Sequence, residues 1–155
     1  MLAACSVASI LVLAAGLLLQ HGFGLAPCAW CVLQRLIFLA IAVVSAIGAL
    51  SARGRSGQLI FGVLVDALAM AGAAAALHLH FVASRSESCG LTLADQVIMK
   101  LSLHELAPWM FFADAPCNQA NMPFLGLPFA IWSLLAFAVL GAFGVVVMLG
   151  SVRRQ

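Results

Sequence analysis

Four long apolar runs, separated by polar or irregular stretches, set the pattern of this chain. The first covers residues 1–20 and is nearly all Ala, Leu, Val and Ile, without a charge or a proline. About 20 such residues wound as a helix cross the hydrocarbon core of a bilayer. His21-Gly22-Phe23-Gly24-Leu25-Ala26-Pro27 then breaks the helix with two glycines and a proline. The second run, 32–50, is interrupted near its start by Gln34 and Arg35 and carries Ser45, Ala46 and Gly48, small residues that let a neighbouring helix come close. A polar connector from Ser51 to Gln58 holds Arg53 and Arg55. The third run is 59–81, with Asp66 inside it and His78 and His80 at its far end, and the fourth is 125–149, followed by Arg153 and Arg154. This pattern predicts an all-α integral membrane protein, a single domain built as a four-transmembrane-helix bundle.

Composition points the same way. The chain is 65% hydrophobic and 8% charged, with mean hydropathy +1.18, whereas a soluble domain carries about 25% charged residues. A formal net charge of +2 leaves no basic footprint for nucleic acid. The first run lacks a basic leading segment and reads as a retained span, not a signal peptide. The two arginine pairs are separated by two crossings, so they lie on one side; positive charge marks that side as cytoplasmic and places both termini there. The short first loop, 21–31, and the long second loop, 82–124, then share the opposite face. Glu87, Asp95, Glu105 and Asp114 lie in the second loop against Arg85 and Lys100, a formal balance of 2 − 4 = −2. Within it Thr92-Leu93-Ala94-Asp95 reads as a capping box, followed by apolar Val97, Ile98 and Leu101 and extended by Leu103 and Leu106. A short helix lying in the interface plane is expected there, with Trp109-Met110-Phe111-Phe112 at the same level.

The candidate chemistry is carried by cysteines. Of five, Cys28, Cys31, Cys89 and Cys117 fall on the one face where disulfides persist, and Cys5, inside the first run, reads as a packing residue. Cys28-Ala29-Trp30-Cys31 is a C-x-x-C pair at the predicted start of a helix, and Arg35 stands one turn past Cys31 on the same face. A thiolate at Cys31 would feel a guanidinium and the positive end of a helix, the two influences that make a thiol reactive. Four thiols on one face can form two static disulfides, a metal site or an exchange relay. Cys89 and Cys117 lack the paired spacing of a zinc knuckle, which argues against metal. A C-x-x-C ring backed by an arginine suits exchange better than stapling. Arg35 either snorkels to the headgroups or pairs with the thiolate, and the Cys31 spacing favours the thiolate. His78 and His80, two apart, face different directions: either one lines the site as a proton carrier or both are interfacial. Asp66 is assigned no catalysis.

With four spans, the run Pro27-Cys28-Ala29-Trp30-Cys31-Val32-Leu33-Gln34-Arg35 and a long cysteine-bearing loop before the fourth, the chain resembles the DsbB family, disulfide bond formation protein B, over nearly its whole length. Phe124-Leu125-Gly126-Leu127 leading to Trp132-Ser133-Leu134-Leu135 is the second sharp match. The resemblance implies a thiol oxidase of the bacterial inner membrane with its cysteine loops in the periplasm. Cys89 would accept attack from a reduced DsbA-type periplasmic thiol oxidase, Cys117 would attack Cys28, and the freed Cys31 thiolate would pass electrons to ubiquinone or menaquinone from the membrane pool. Arg35 would stabilise the thiolate beside the quinone, and His78 would be a further quinone contact. Two positions depart from the family pattern: Val82 replaces a glutamine four residues after the histidine, and Met122 replaces a tryptophan before Phe-Leu-Gly-Leu. A vitamin K epoxide reductase-like protein also has four spans and two cysteine pairs, but there the quinone-facing C-x-x-C starts the last span. A non-enzymatic, disulfide-stapled membrane scaffold is the other alternative, and it predicts one fixed redox state.

Overall fold

In a computed structural model, which describes residues 1–52, 54–85, 92–113, 115–121 and 123–152, the long apolar runs form helices α1 (Leu2–Phe23), α2 (Ala29–Ser51), α3 (Arg55–Phe81) and a C-terminal helix (Phe129–Val152). All four are long and apolar enough to cross a membrane. Arg53, Glu87, Cys89, Asp114, Met122, Arg153 and Arg154 lie outside the described residues.

Local chemistry sets the helix ends. Gly24, at φ 65°, ends α1 in the left-handed conformation that glycine adopts without a Cβ penalty. Cys28 is the N-cap of α2, so the helix starts three residues before the predicted span. Cys31 therefore belongs to the first helical turn, and Cys28 alone of the pair stays outside it.

A 3₁₀ turn over Ala83–Arg85 follows α3, and the second loop then folds as a chain of short elements. α4 (Leu93–Lys100) opens with the predicted capping box: the Asp95 carboxylate accepts from the Thr92 amide at 2.9 Å, and the Thr92 hydroxyl oxygen accepts from the Asp95 amide at 3.3 Å. Its buried residues are Ala94 and Ile98. The stripe does not run on as predicted, because Ser102 adopts φ 48° and turns the chain. Leu106 is left 84% exposed in α5 (Leu103–Leu106). α6 (Pro108–Phe111) buries Met110 and Phe111 and leaves Trp109 outward. α7 (Cys117–Ala120) leads to β1 (Pro123–Phe124) and β2 (Leu127–Pro128), an antiparallel pair closed by Leu125 at φ 52° and Gly126 at φ 84°. Two successive positive φ values favour a tight hairpin, which delays the C-terminal helix, α8, to Phe129.

Two kinds of seam hold the bundle. Between α1 and α2, Ser6 and Ser9 donate to the carbonyls of Ala42 and Phe38 at 2.9 and 2.7 Å, satisfying hydroxyls that lipid cannot. Cys5, 1% exposed, packs in the same layer as Phe38 and Ile41. Between α3 and α8 the device is glycine. A Cβ on Gly72 would collide with the Phe137 ring, and one on Gly144 would stand 2.5 Å from Asp66 Oδ1. The Phe137 ring in turn stacks on Phe38, centroids 4.0 Å apart, and ties α8 to α2. Val7, Leu11, Ile47, Ile60, Met70 and Val139 face outward as an apolar belt around helices whose backbone is bonded internally.

Candidate functional site

The first turn of α2 is the centre of the site. Cys28 is fully buried, and its Sγ lies 3.1 Å from Cys31 Sγ, a proximity that the three-residue spacing at a helix start produces by itself. The second loop is pinned against this turn, since the Ala115 amide donates to the Pro27 carbonyl at 3.3 Å. That bond brings in Cys117, the first residue of α7, which packs half-buried against the cluster containing Cys28 and Trp30.

Electrostatics separate the two thiols that lie outside the spans. Cys28 shares its proton with Cys117 first and Cys31 second and is also desolvated, so its thiol is pushed far above the ordinary range. Cys117 is drawn below that range by the Cys28 thiol, with further help from the Trp30 backbone amide, against its own burial and the nearby Asp95 carboxylate. Of the two, Cys117 is the thiol whose ionised form the surroundings favour and Cys28 the one whose protonated form they favour.

Cys31 faces the other way, into a cavity of about 470 Å³ walled by α1, α2, α8 and the hairpin. Val12, Leu13 and Gly16 form one wall, and Phe129, Trp132 and Ala136 another. The polar groups in this lining are Cys31, Gln34, Arg35 and Ser133. A smaller space of about 290 Å³ also touches Cys31 and Arg35 and extends beneath the loops to Pro27 and Gln119. An apolar slot of this size with a few polar groups at one end suits a flat, mostly apolar molecule with hydrogen-bond acceptors. Gln34 supports that fit: it is 3% exposed, lines the cavity, and its amide nitrogen has no partner among the described residues.

Arg35 is buried and lines both cavities beside Cys31. Its Nη1 donates to Gln20 Oε1 on α1 and to the Met110 carbonyl on α6, the latter at 3.1 Å, so it also laces two spans and the second loop together. Gln20 and Gln34 were not anticipated as site residues; the available signal was a lone amide within an otherwise apolar run.

His78, which the resemblance implies as a further quinone contact, meets a ring of the C-x-x-C turn itself. It stacks on Trp30, with centroids 4.2 Å apart and planes at 29°, and lines neither cavity at Cys31. The reason is the bundle order. The cavity is walled by α1, α2 and α8, while α3 meets the first turn of α2 from outside that enclosure.

Residues 1–147 match the family model described as disulfide bond formation protein DsbB. A disulfide bond formation protein B of Pseudomonas syringae pv. tomato is 39% identical over 124 residues, spanning 79% of this chain and 73% of the relative. Its counterpart in Aromatoleum aromaticum is 31% identical over 136 residues, spanning 86% and 81%. One of Polaromonas sp. is 34% identical over 158 residues, spanning 99% and 92%.

Proposed function

This chain belongs to the DsbB family of disulfide bond formation proteins, multi-pass membrane disulfide oxidoreductases, and on that premise we propose that it re-oxidises a DsbA-type periplasmic dithiol protein at the expense of a membrane quinone. The observation that carries this reading is Cys31 at the polar end of an apolar cavity, beside Arg35 and the unpartnered amide of Gln34. The protein sits in the bacterial inner membrane with both termini cytoplasmic and both cysteine loops periplasmic.

A thiolate of the reduced partner attacks Cys89 of a Cys89–Cys117 disulfide; a partner–Cys89 bond forms and Cys117 leaves with the electron pair. The lowered Cys117 thiol suits that departure, because a lower-pKa sulfur leaves faster. Cys117 then attacks Cys28 of a Cys28–Cys31 disulfide, so that a Cys28–Cys117 bond forms as Cys28–Cys31 breaks and Cys31 takes the electron pair. The partner's second thiol resolves its bond to Cys89 and departs oxidised; the freed Cys89 thiolate attacks Cys117, so that Cys89–Cys117 re-forms as Cys28–Cys117 breaks and Cys28 and Cys31 are left as the reduced pair. The Arg35 guanidinium and the first turn of α2 stabilise the negative charge on Cys31. Gln34 and Arg35 would hold the acceptor's oxygen at the polar end of the cavity that Phe129 and Trp132 also line. Ubiquinone or menaquinone, when bound, supplies the terminal acceptor of two electrons and two protons.

The test is visible absorbance of the purified protein with a short-chain ubiquinone, with and without Cys31→Ser, while a reduced DsbA-type protein is supplied. A long-wavelength band and partner oxidation that both require Cys31 are the expected result. Loop cysteines that stay disulfide-bonded with neither signal overturn the relay in favour of a stapled scaffold.

A further inference from the structure

Arg35 carries its charge on the second turn of a membrane span, and a charge in that place has to be held by its neighbours. The guanidinium is a planar fork of five N–H groups whose directions are fixed relative to one another. Two bonds hold the fork, both from Nη1: one to Gln20 Oε1 near the end of α1, the other to the Met110 carbonyl of α6 at 3.1 Å. The Met110 contact is made by main chain, so Gln20 is the side chain of the pair. It lines the two spaces that reach Pro27 beneath the loops, and not the larger cavity where Cys31, Gln34 and Arg35 meet. Gln20 therefore meets the guanidinium from outside that cavity. Its oxygen also belongs to a neutral amide, which orients the guanidinium and leaves the positive charge uncompensated, as a carboxylate would not.

We propose that Gln20 is a positioning residue for quinone reduction, fixing the Arg35 guanidinium so that its remaining N–H groups face the acceptor's oxygen beside Cys31. The inference rests on the function proposed above. Nη1 tied at two points sets the plane of the fork, and with it the directions of Nη2 and Nε. Released from α1, the side chain can turn about its aliphatic dihedrals and carry its head towards the headgroups, as arginines near span ends do. The step served keeps its balance: the Cys28 and Cys31 dithiol closes to a disulfide and hands two electrons and two protons to the quinone, which becomes the quinol. Gln20 governs how often the guanidinium stands where negative charge on Cys31 or on the acceptor's oxygen needs it.

The experiment uses the full-length chain in detergent with isotope-labelled arginine nitrogens, carrying Cys28→Ser so that Cys31 meets the quinone without closing a disulfide. Side-chain nitrogen resonances of Arg35, assigned by their loss in Arg35→Lys, are read without quinone. Affinity for short-chain ubiquinone and the long-wavelength band at saturation are measured next. With Gln20 in place the two Arg35 Nη signals are expected to stay resolved, because the bonds to Nη1 stop rotation. Gln20→Met, similar in length and without an acceptor oxygen, should merge them and lower quinone affinity about tenfold. Gln20→Glu keeps the acceptor and offsets the charge, so the signals stay resolved while the band weakens. Nitrogen signals and quinone affinity that part company in Gln20→Met, in either direction, overturn the inference, as does a Gln20→Glu chain that frees Arg35 as methionine does. If the chain with Gln20 intact binds no ubiquinone, the proposed function fails and this inference with it; binding and band that are the same with Met at this position sink this inference alone.

Discussion

The seam between α3 and α8 and the seam between α1 and α8 are built from the same small and apolar residue types and end in opposite states. On the first, Gly72 admits the Phe137 ring and Gly144 admits the Asp66 carboxyl group, so the helices close to contact. On the second, Val12, Leu13 and Gly16 face Trp132 and Ala136 across a cavity of about 470 Å³. A Cβ on Gly16 would meet no described atom within 4 Å, whereas one on Gly72 would collide. Without a hydrophobic force between helices in lipid, association rests on packing, and glycine strengthens it only where a partner fills the groove. One seam is scaffold and the other is a berth. At the cysteine end, polar links through Arg35 take over the work that packing does elsewhere.

Breaking the closed seam should have the largest effect. Gly72→Leu drives a branched side chain into Phe137 and is expected to cost about 3 kcal/mol, read as lost thermal stability in detergent. Arg35→Ala tests whether charge-assisted hydrogen bonds hold the open seam. Its loss strands Gln20 and the Met110 carbonyl and should cost about 2 kcal/mol, alongside weaker coupling to quinone. Ala136→Trp fills the berth from α8 and should lower affinity for a short-chain ubiquinone about tenfold, ~1.4 kcal/mol, with little change in melting. Equal losses of stability from Ala136→Trp and Gly72→Leu would erase the distinction between the seams. Gly16→Ala should stay within about 0.5 kcal/mol of the parent in the same melting assay.

The exchange side of the site offers a titration. Because the Cys28 thiol is the main influence holding Cys117 low, the Cys117 thiolate persists as pH falls until the solution passes that lowered value. Cys28→Ala removes the influence, so the midpoint of Cys117 alkylation against pH should move upward. An unmoved midpoint would assign the lowering to the Trp30 amide.

Features set by local spacing were legible in the sequence. Twenty apolar residues have one common solution in a bilayer, which made the four-helix bundle readable, and the Thr92–Asp95 capping box needs only four consecutive residues. Features that depend on helix rotation were not. Nothing in the chain says that Arg35 reaches Gln20 and Met110, because that choice is made by how α1 and α6 sit on α2. The partner of His78 was hidden for the same reason: periodicity says that His78 and His80 diverge, not which neighbour each meets. The hairpin before α8 was missed because Leu125 at a positive φ is unusual for a leucine, and hydropathy reads it as one more residue of the span.

Cys28 lies between two other sulfurs, and valence limits what it can do there. A divalent sulfur bonded to its own carbon has room for one further sulfur, so a link to Cys31 and a link to Cys117 are mutually exclusive. In the relay proposed above an atom of this kind counts: it takes a bond from Cys117 only by giving up its bond to Cys31, and takes one back from Cys31 only after Cys117 has left. Order of transfer then needs no moving gate and no clock, only the arithmetic of a single shared atom.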